Sequence, residues 1–282
     1  MTQEPCTMKT VNYEKIADEY DKRFEMAYGH DGVESILLGL VRAQNLQKVL
    51  EVGCGTGHWL DILHSHAQVL GIDLSLAMLQ KAISSLPDLL VIRGEAIHLP
   101  FSDQTFDMVF CVNALHHFSN PSAFISEAYR LLVPNGVLGV IGMNPHTRRD
   151  RWFIYDYFPG TYEVDLQRYP SPKTVADWME SAGFEQITEQ VAERLRSDKH
   201  GYDVLPLSKE FTSQLSLLSM EDYEKGIARI EEDLYKAQEA GKDIVFPVDV
   251  SLFMVKTHAV KQKTLPKIIV RGNSQSDHTS FS

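Results

Sequence analysis

The chain has 282 residues, of which 44% are hydrophobic and 23% are charged, and its formal net charge at pH 7 is -11. This composition is typical of a folded globular protein, and the length predicts one large core with insertions or a small cap. Because the negative charge would repel a phosphate backbone, we expect a small-molecule partner and no nucleic acid.

The cysteines and the first residues bear on compartment and metal content. The three cysteines are too few and too scattered for a disulfide framework, and none is paired at zinc-ligand spacing, so no metal site is expected. The first residues lack the apolar segment of a signal peptide, and no apolar run reaches the length of a membrane span. A cytoplasmic location is therefore predicted. The sequence does not indicate which oligomeric state the protein has.

Helices and strands alternate along most of the chain. Two amphipathic helices are predicted first, one from Tyr13 to Phe24 behind a capping Asn12 and one around Val33 to Val41. Five apolar runs follow, namely KVLEV, QVLGID, LLVIRG, FDMVFCV and GVLGVIGM. A helix closed by Gly183, a strand, a long helix over about 219–240 and a closing strand come later. The alternation predicts a doubly wound α/β sheet, in which ligands bind at the carboxyl ends of the strands.

The most informative stretch is VLEVGCGTGHWL, in which Gly53, Gly55 and Gly57 separate a predicted strand from a predicted helix. A phosphate-binding P-loop would end in Gly-Lys-Ser or Gly-Lys-Thr, and a dinucleotide fingerprint would require glycine where the chain has His58. These departures favour a ligand without a pyrophosphate. A tight turn without any ligand is the alternative, at the conformational cost of three glycines.

These motifs resemble those of the class I S-adenosylmethionine-dependent methyltransferases, in particular the methyltransferase type 11 group with the ubiquinone and menaquinone methyltransferases. EVGCGTG from Glu51 to Gly57 is similar to the first family motif, Asp73 in VLGIDLS to the second, and GEAIHLPF from Gly94 to the third. FDMVFCVNALHHF and LLVPNGVLGVIG resemble the fourth strand and the segment leading to the fifth. The resemblance is strong over residues 12–143 and loose beyond them. It implies a Rossmann-like, seven-stranded sheet with a mainly helical cap built from insertions.

The resemblance implies that S-adenosyl-L-methionine is the cofactor. The glycine loop would pass close to its methionine part, and Glu51 would orient the loop or the cofactor ammonium. Asp73 would accept the ribose hydroxyls, although it could instead cap the next helix. The remaining contacts are assigned to Leu74, Met78, Glu95, Ala96, Ile97, Asn113 and Leu115. For Glu95 a solvated loop carboxylate is the alternative, and for Met78 a core position.

Methyl transfer depends chiefly on aligning an acceptor atom with the methyl group and on excluding water. A base matters only where the acceptor must lose a proton, as a phenol does and a carboxylate does not. His117 and His116 follow the fourth strand and are the candidate bases, with a structural role as the alternative. The resemblance places the first helix over the cofactor, with Tyr20 nearer the methyl as a further catalytic candidate and Tyr13 towards the substrate.

An aromatic segment after the fifth strand is the candidate for acceptor recognition. Trp152, Tyr155 and Phe158 are predicted to line a cap over the cleft, because aromatic rings suit a flat or apolar acceptor. Ordinary packing inside the cap is the alternative. The three arginines at positions 148, 149 and 151 would face either an acidic acceptor or solvent.

The predicted organisation has seven parts: lid helices at 1–45, a cofactor-binding core at 46–143, an aromatic cap insertion at 144–170, a core helix and strand at 171–195, a second cap insertion at 196–243, a closing strand at 244–262 and a disordered tail at 263–282. The expected reaction is methyl transfer to the O, N or C atom of a small aromatic or apolar metabolite, such as a quinone-like acceptor. The alternatives are methylation of a small carboxylic acid, a non-catalytic S-adenosylmethionine-binding module, and a nicotinamide oxidoreductase, against which His58 argues.

Overall fold

A computed structural model describes residues 11–21, 31–197, 208–210 and 212–260 of the chain, so the tail predicted from residue 263 lies outside the described residues. Both predicted N-terminal helices are confirmed, as α1 (Tyr13–Tyr20) and α2 (Asp31–Ala43). The side chain of Asn12 accepts a hydrogen bond from the Glu14 N–H at the start of α1, as its capping role requires.

The strands of the described residues form one mixed sheet. They are β1 (Lys48–Val52), β2 (Gln68–Asp73), β3 (Val91–Arg93), β4 (Phe106–Val112), β5 (Leu132–Met143), β6 (Arg151–Trp152), β7 (Glu185–Ser197) and β8 (Val248–His258). Their order is β3-β2-β1-β4-β5-β8, and both β7 and the two-residue β6 also pair with β8. The first five strands run parallel, whereas β8 is antiparallel to its neighbours. The doubly wound sheet is confirmed, with β6 as one strand more than the seven expected.

Helices connect the strands and build the cap. Those next to the sheet are α3 (His58–Leu63), α4 (Leu76–Ser85), α5 (Pro121–Leu131) and α8 (Pro172–Ser181). Those of the cap are α6 (Phe153–Tyr157), α7 (Thr161–Arg168), α9 (Ser213–Ser216) and α10 (Met220–Glu239). No described helix combines the length and the apolar character needed to cross a bilayer.

Two apolar layers hold the sheet between its helices. On one face Phe124 of α5 and Val175 of α8 belong to a buried cluster with Val109 of β4. On the other face Leu37 of α2 and Leu60 of α3 belong to a second cluster. Each fully buried side chain of this size contributes about 1.5 to 3 kcal/mol relative to exposure. The layers therefore fix the carboxyl ends of β1, β2, β4 and β5, which position the site.

The cap has an apolar core of its own. Phe158, which follows α6, lies against the backbone of Gly226 in α10, so closely that any side chain at this glycine would collide with the ring. The ring of Tyr223 stacks on Phe158 with centroids 5.9 Å apart. The segment after β5 and the helix α10 therefore pack on each other.

Candidate functional site

The loop after β1 turns back towards the end of β2. The N–H groups of Gly53 and Cys54 both donate to the Ile72 carbonyl, at 2.8 and 3.1 Å. Gly53, Gly55 and Gly57 have φ angles of 76°, 54° and 81°, a region that glycine enters without steric cost. A Cβ at Gly55 would lie 3.7 Å from the Tyr20 ring. Of the three glycines only Gly55 has room for a side chain, and Tyr20 of α1 covers the loop at that position.

Asp73 ties the glycine loop to the start of α4. One carboxylate oxygen accepts the Gly55 N–H at 2.8 Å, and the other accepts the Ser75 N–H at 2.9 Å. Burial raises the pKa of Asp73, although these hydrogen bonds oppose the rise. The side-chain cap of α4 is Ser75, which accepts the Met78 N–H. The placement of Asp73 therefore leaves part of its hydrogen-bonding capacity for a ligand, because a carboxylate has about four acceptor positions.

Two buried oxygens, one on Glu51 and one on Asn113, lack hydrogen-bond partners among the described residues. Glu51 on β1 is 1% exposed, and its Oε2 has no donor. Burial and the nearby Asp73 raise the pKa of Glu51 well above its ordinary value. Asn113, which follows β4 with a φ of 49°, also has a buried Oδ1 without a donor. Because unpaired buried acceptors are costly, the pair fits a ligand that brings an ammonium group or other donors.

The other cofactor candidates differ in exposure. Leu74 is 61% exposed, and Met78 is buried against Ile16 and Ala17 of α1. Glu95 is exposed in the turn after β3, where its neighbours Ala96 and Ile97 are half-buried, and Leu115 is buried.

Helix α1 is docked on the core at both ends. The Glu14 carboxylate accepts the N–H groups of Leu76 and Ala77 at the start of α4, at 2.7 and 3.1 Å. The Ala77 N–H is the main cause of a lowered pKa for Glu14. Beyond the other end of α1, Asp21 accepts a hydrogen bond from the Thr56 hydroxyl at 2.6 Å. Polar contacts therefore hold the helix over the glycine loop.

The two histidines after β4 lie in a short 3-10 turn (Leu115–His117) and are the centre of a row of four rings. The Tyr13 hydroxyl and His117 Nε2 are hydrogen-bonded, 2.6 Å apart. The His117 and His116 ring centroids lie 3.9 Å apart, and those of His116 and Tyr169 lie 3.8 Å apart. We call Tyr13, His117, His116 and Tyr169 the ring row. Tyr13 contacts His117, whereas Tyr20, which was predicted to lie nearer the methyl, covers Gly55.

The three aromatic residues chosen for the acceptor take other places. Phe158 does not line a cleft but is buried inside the cap, because Gly226 leaves room for its ring. Tyr155 donates a hydrogen bond to the fully buried Asp165 at 2.8 Å, and its ring packs edge-on against Trp152. Trp152 is half-buried. Tyr155 and Phe158 therefore serve the packing that was the alternative, whereas Tyr169, which was not chosen, reaches His116.

An apolar pocket opens beside the ring row, between the end of β5, the strand β8 and the start of α8. Its walls include Leu115, His116, Met143, Tyr169, Val175 and Phe253. None of the described residues that line it is a lysine or an arginine. The arginines at 148, 149 and 151 are exposed instead. In the described part of the chain, no three histidine, cysteine or carboxylate side chains gather as a metal site would require.

Comparison with known proteins gives the same class of protein. A family model described as a methyltransferase domain matches residues 50–140. A demethylmenaquinone methyltransferase of Thermotoga maritima is 27% identical over 197 residues, which cover 61% of this chain and 86% of the relative. A phthiotriol/phenolphthiotriol dimycocerosates methyltransferase of Mycobacterium ulcerans is 36% identical over 112 residues, which cover 38% of this chain and 41% of the relative.

Solved structures share the fold. A SAM-dependent methyltransferase of Thermotoga maritima aligns with a TM-score of 0.56 and 20% identity over 88% of this chain and 98% of its own. One from Archaeoglobus fulgidus aligns with a TM-score of 0.51 and 17% identity over 85% and 99%. At these identities the likeness concerns the fold alone.

Fold, glycine loop and family match together define a class I S-adenosylmethionine-dependent methyltransferase. The chain is an S-adenosylmethionine-dependent methyltransferase, and S-adenosylmethionine is its cofactor.

Proposed function

We propose that the enzyme methylates a small acceptor that combines a flat ring bearing a hydroxyl group with an apolar tail, as a prenylated quinol does. The observation that carries this proposal is the apolar pocket beside His116 and Tyr169. Its aliphatic and aromatic walls suit a small apolar part of such an acceptor. Methylation of a carboxylic acid is disfavoured, because none of the described residues that line the pocket is a lysine or arginine that could pair with a carboxylate.

The relatives support the same class of acceptor. The names of the two curated relatives specify demethylmenaquinone and phthiotriol or phenolphthiotriol dimycocerosates, which are quinone-like or lipid-like compounds. An acceptor of this kind needs a site with a polar end for the reacting ring and an apolar end for the remainder. The ring row and the adjoining pocket offer such a pair of surfaces.

The cofactor would be held by residues at the ends of β1, β2, β3 and β4. The orphaned Glu51 Oε2 and Asn113 Oδ1 would accept from the ammonium of the methionine part, and Asp73 would accept the ribose hydroxyls with its remaining lone pairs. Residues 95–97 would bound the adenine. When bound, the cofactor would supply an electrophilic methyl group.

A base would serve this acceptor, since a ring hydroxyl is mostly protonated at neutral pH. His117 is our candidate, because it follows β4 at the cofactor end of the ring row. We further propose that residues 144–170 and 196–243 form the cap that selects the acceptor, and that α1 belongs to a lid. A non-catalytic binding module would need neither a base candidate nor a pocket beside it.

The test is an assay with methyl-labelled S-adenosylmethionine and three acceptors: a prenylated naphthoquinol, the same naphthoquinol without its tail, and a fatty acid. We expect the prenylated quinol to show the highest kcat/KM. Because a well-buried apolar tail contributes about 25 cal/mol per Å2, removal of the tail should raise KM more than it lowers kcat. Turnover of the fatty acid alone would contradict the proposal. Tight binding of S-adenosylhomocysteine without turnover of any acceptor would favour a binding module.

A further inference from the structure

We infer that Asp165 is a positioning residue for acceptor recognition, because it holds the ring of Tyr169 in place against His116. Tyr169 and His116 line the pocket, and Asp165 is not among the described residues that do so. Asp165 therefore acts through Tyr169 and not on the acceptor directly. The part of the inference that concerns the acceptor rests on the proposed function.

The Asp165 carboxylate, which is fully buried in α7, joins three helices of the cap. Its Oδ2 accepts hydrogen bonds from the Tyr155 hydroxyl of α6 at 2.8 Å and from the Gln214 amide of α9 at 2.7 Å. Its Oδ1 lies 3.3 Å from Nη1 of Arg168, whose side chain is only 5% exposed. Burial raises the pKa of Asp165, and the hydrogen bonds from Gln214 and Tyr155 oppose the rise. The same contacts fix the end of α7 relative to α6 and α9.

Tyr169 directly follows α7, so the contacts at the end of that helix also set the position of its ring. The Tyr169 N–H donates to the Asp165 carbonyl at 2.9 Å. The Tyr169 carbonyl accepts a hydrogen bond from His146 Nε2 at 2.7 Å. The guanidinium carbon of Arg168 lies 5.8 Å from the centroid of the Tyr169 ring. The backbone of Tyr169 is thus held on both sides while its ring stacks on His116.

The charge of Asp165 matters as well as its shape. Arg168 Nη2 has no hydrogen-bond partner among the described residues, so loss of the Asp165 charge leaves a buried guanidinium without its carboxylate partner. Such an uncompensated charge is strongly unfavourable, and it is relieved when the end of α7 moves. Tyr169 is the next residue along the chain, so its ring moves with the helix end. The residues proposed to hold the cofactor belong to other segments, at the ends of β1 to β4, so the change should affect the acceptor.

The first experiment measures the ring position without turnover. Protons held over the face of an aromatic ring have shifted resonances, so the carbon-bound protons of the His116 imidazole report the position of Tyr169. Their resonances, in the protein bound to S-adenosylhomocysteine, are assigned by their loss in His116→Asn. Tyr169→Leu gives their values without the stacked ring. We expect Asp165→Asn, which keeps the shape and removes the charge, to move the resonances towards the Tyr169→Leu values.

The matched control is Asp233→Asn. Asp233 accepts the hydroxyl of Tyr157 at 3.0 Å, as Asp165 accepts that of Tyr155, but its side chain is 44% exposed on α10. This change should leave the His116 resonances in place. Tyr155→Phe removes one hydrogen bond to Asp165 and keeps its charge, so it should give a smaller shift in the same direction. Unchanged resonances in Asp165→Asn would overturn the inference, and if that variant does not fold, unchanged resonances in Tyr155→Phe would do so.

The second experiment measures turnover of the prenylated naphthoquinol. We expect Asp165→Asn to raise KM for the quinol about tenfold, because the acceptor loses contact with a displaced aromatic wall. The value of kcat and the affinity for S-adenosylhomocysteine should change by less than about twofold, since the lost contact serves acceptor binding. Asp233→Asn should keep the wild-type KM.

A merely structural role would give a different result. Partial unfolding of Asp165→Asn would reduce the active fraction, and therefore kcat, at an unchanged KM, and that outcome would overturn the inference while the proposed function stands. Failure of the wild-type enzyme on every quinol would overturn the proposed function. The His116 resonances would still decide whether Asp165 positions the ring of Tyr169.

Discussion

The ring of Tyr169 stacks on the ring of His116, with centroids 3.8 Å apart and planes inclined by 23°. Tyr169 comes from the segment after β5, and burial and the nearby Asp165 raise its pKa, while Gln214 and Ser213 of the second insertion lower it. Gln214 also donates a hydrogen bond to the buried Asp165 at 2.7 Å. The two segments therefore contact each other next to the ring that stacks on His116.

We predict that Tyr169→Ala lowers kcat/KM for the prenylated naphthoquinol, with a rise of about 1 kcal/mol or more in the corresponding activation free energy. The reason is that an aromatic pair contributes about 0.5 to 1.5 kcal/mol beyond its buried area. Tyr169→Phe keeps the stacking and should retain most of the activity. Steady-state kinetics of both variants, with calorimetric titration of S-adenosylhomocysteine as the control, provide the measurement. Equal losses in the two variants would show that the hydroxyl, not the stacked ring, is the important group.

We predict that Asp73→Ala weakens S-adenosylmethionine and S-adenosylhomocysteine alike, by about 1.5 to 3 kcal/mol, since hydrogen bonds to a charged acceptor are lost. The matched control is Asp88→Ala, a change at an exposed carboxylate outside the site. Isothermal titration calorimetry measures both. Tight binding of a nicotinamide dinucleotide to the wild-type enzyme would contradict the assignment of the site.

Glu51 should make the stability of the ligand-free enzyme depend on pH. Folding raises the pKa of Glu51, so the folded chain holds this proton more tightly than the unfolded chain does. The resulting stabilisation is fully present below the unfolded-state pKa and is lost as pH rises through the folded-state pKa. Each tenfold change in its ionisation constant corresponds to about 1.4 kcal/mol. We therefore expect the Tm of the wild type to fall more steeply than that of Glu51→Gln as the pH rises above the ordinary carboxyl value of 4.5.

The same substitution separates stability from binding. Glu51→Gln should bind S-adenosylhomocysteine more weakly, because the ammonium loses a charged partner. Calorimetry at one pH, together with thermal unfolding across the series, checks both statements. Parallel Tm curves for the two proteins would mean that Glu51 ionises as freely in the fold as in the unfolded chain.

The pocket predicts that two apolar residues paired across β7 and β8 differ in their contribution to acceptor binding. Phe253 lines the pocket, whereas its cross-strand partner Val191 does not and is 56% exposed. Phe253→Ala should weaken binding of the prenylated quinol by about 1 to 3 kcal/mol through lost apolar contact. Val191→Ala should leave KM unchanged within error, and a similar rise in KM for both variants would place the acceptor elsewhere.

The sequence predicted the parts of the fold whose causes are local. Gly53, Gly55 and Gly57 stand directly between a strand and a helix, and Asp73 ends the next strand, so parallel pairing alone brings them to one edge of the sheet. The first helix was predicted in the same way, from its capping Asn12.

The cap could not be predicted to the same depth, because its contacts are distant along the chain. An aromatic residue suits a pocket wall and an apolar core equally, and only the space above Gly226 decides that Phe158 is core. The contact between Tyr13 and His117 spans 104 positions, and no local pattern distinguishes Tyr13 from Tyr20 as its donor. One indirect signal pointed to a place for Tyr169 near the site. It directly precedes Pro170 and the start of α8, where the chain returns to the sheet.

The late position of β8 has a consequence for biosynthesis. This strand pairs with β5, β6 and β7, all of which are translated before it. A nascent chain that has just passed residue 197 already contains the glycine loop, Asp73 and both histidines, yet the edges of β5 and β7 still lack their shared partner. Exposed strand edges of this kind are prone to pairing with other chains. The ribosome therefore delivers the cofactor-binding residues well before the strand that makes their sheet complete, and chaperone protection matters most during that interval.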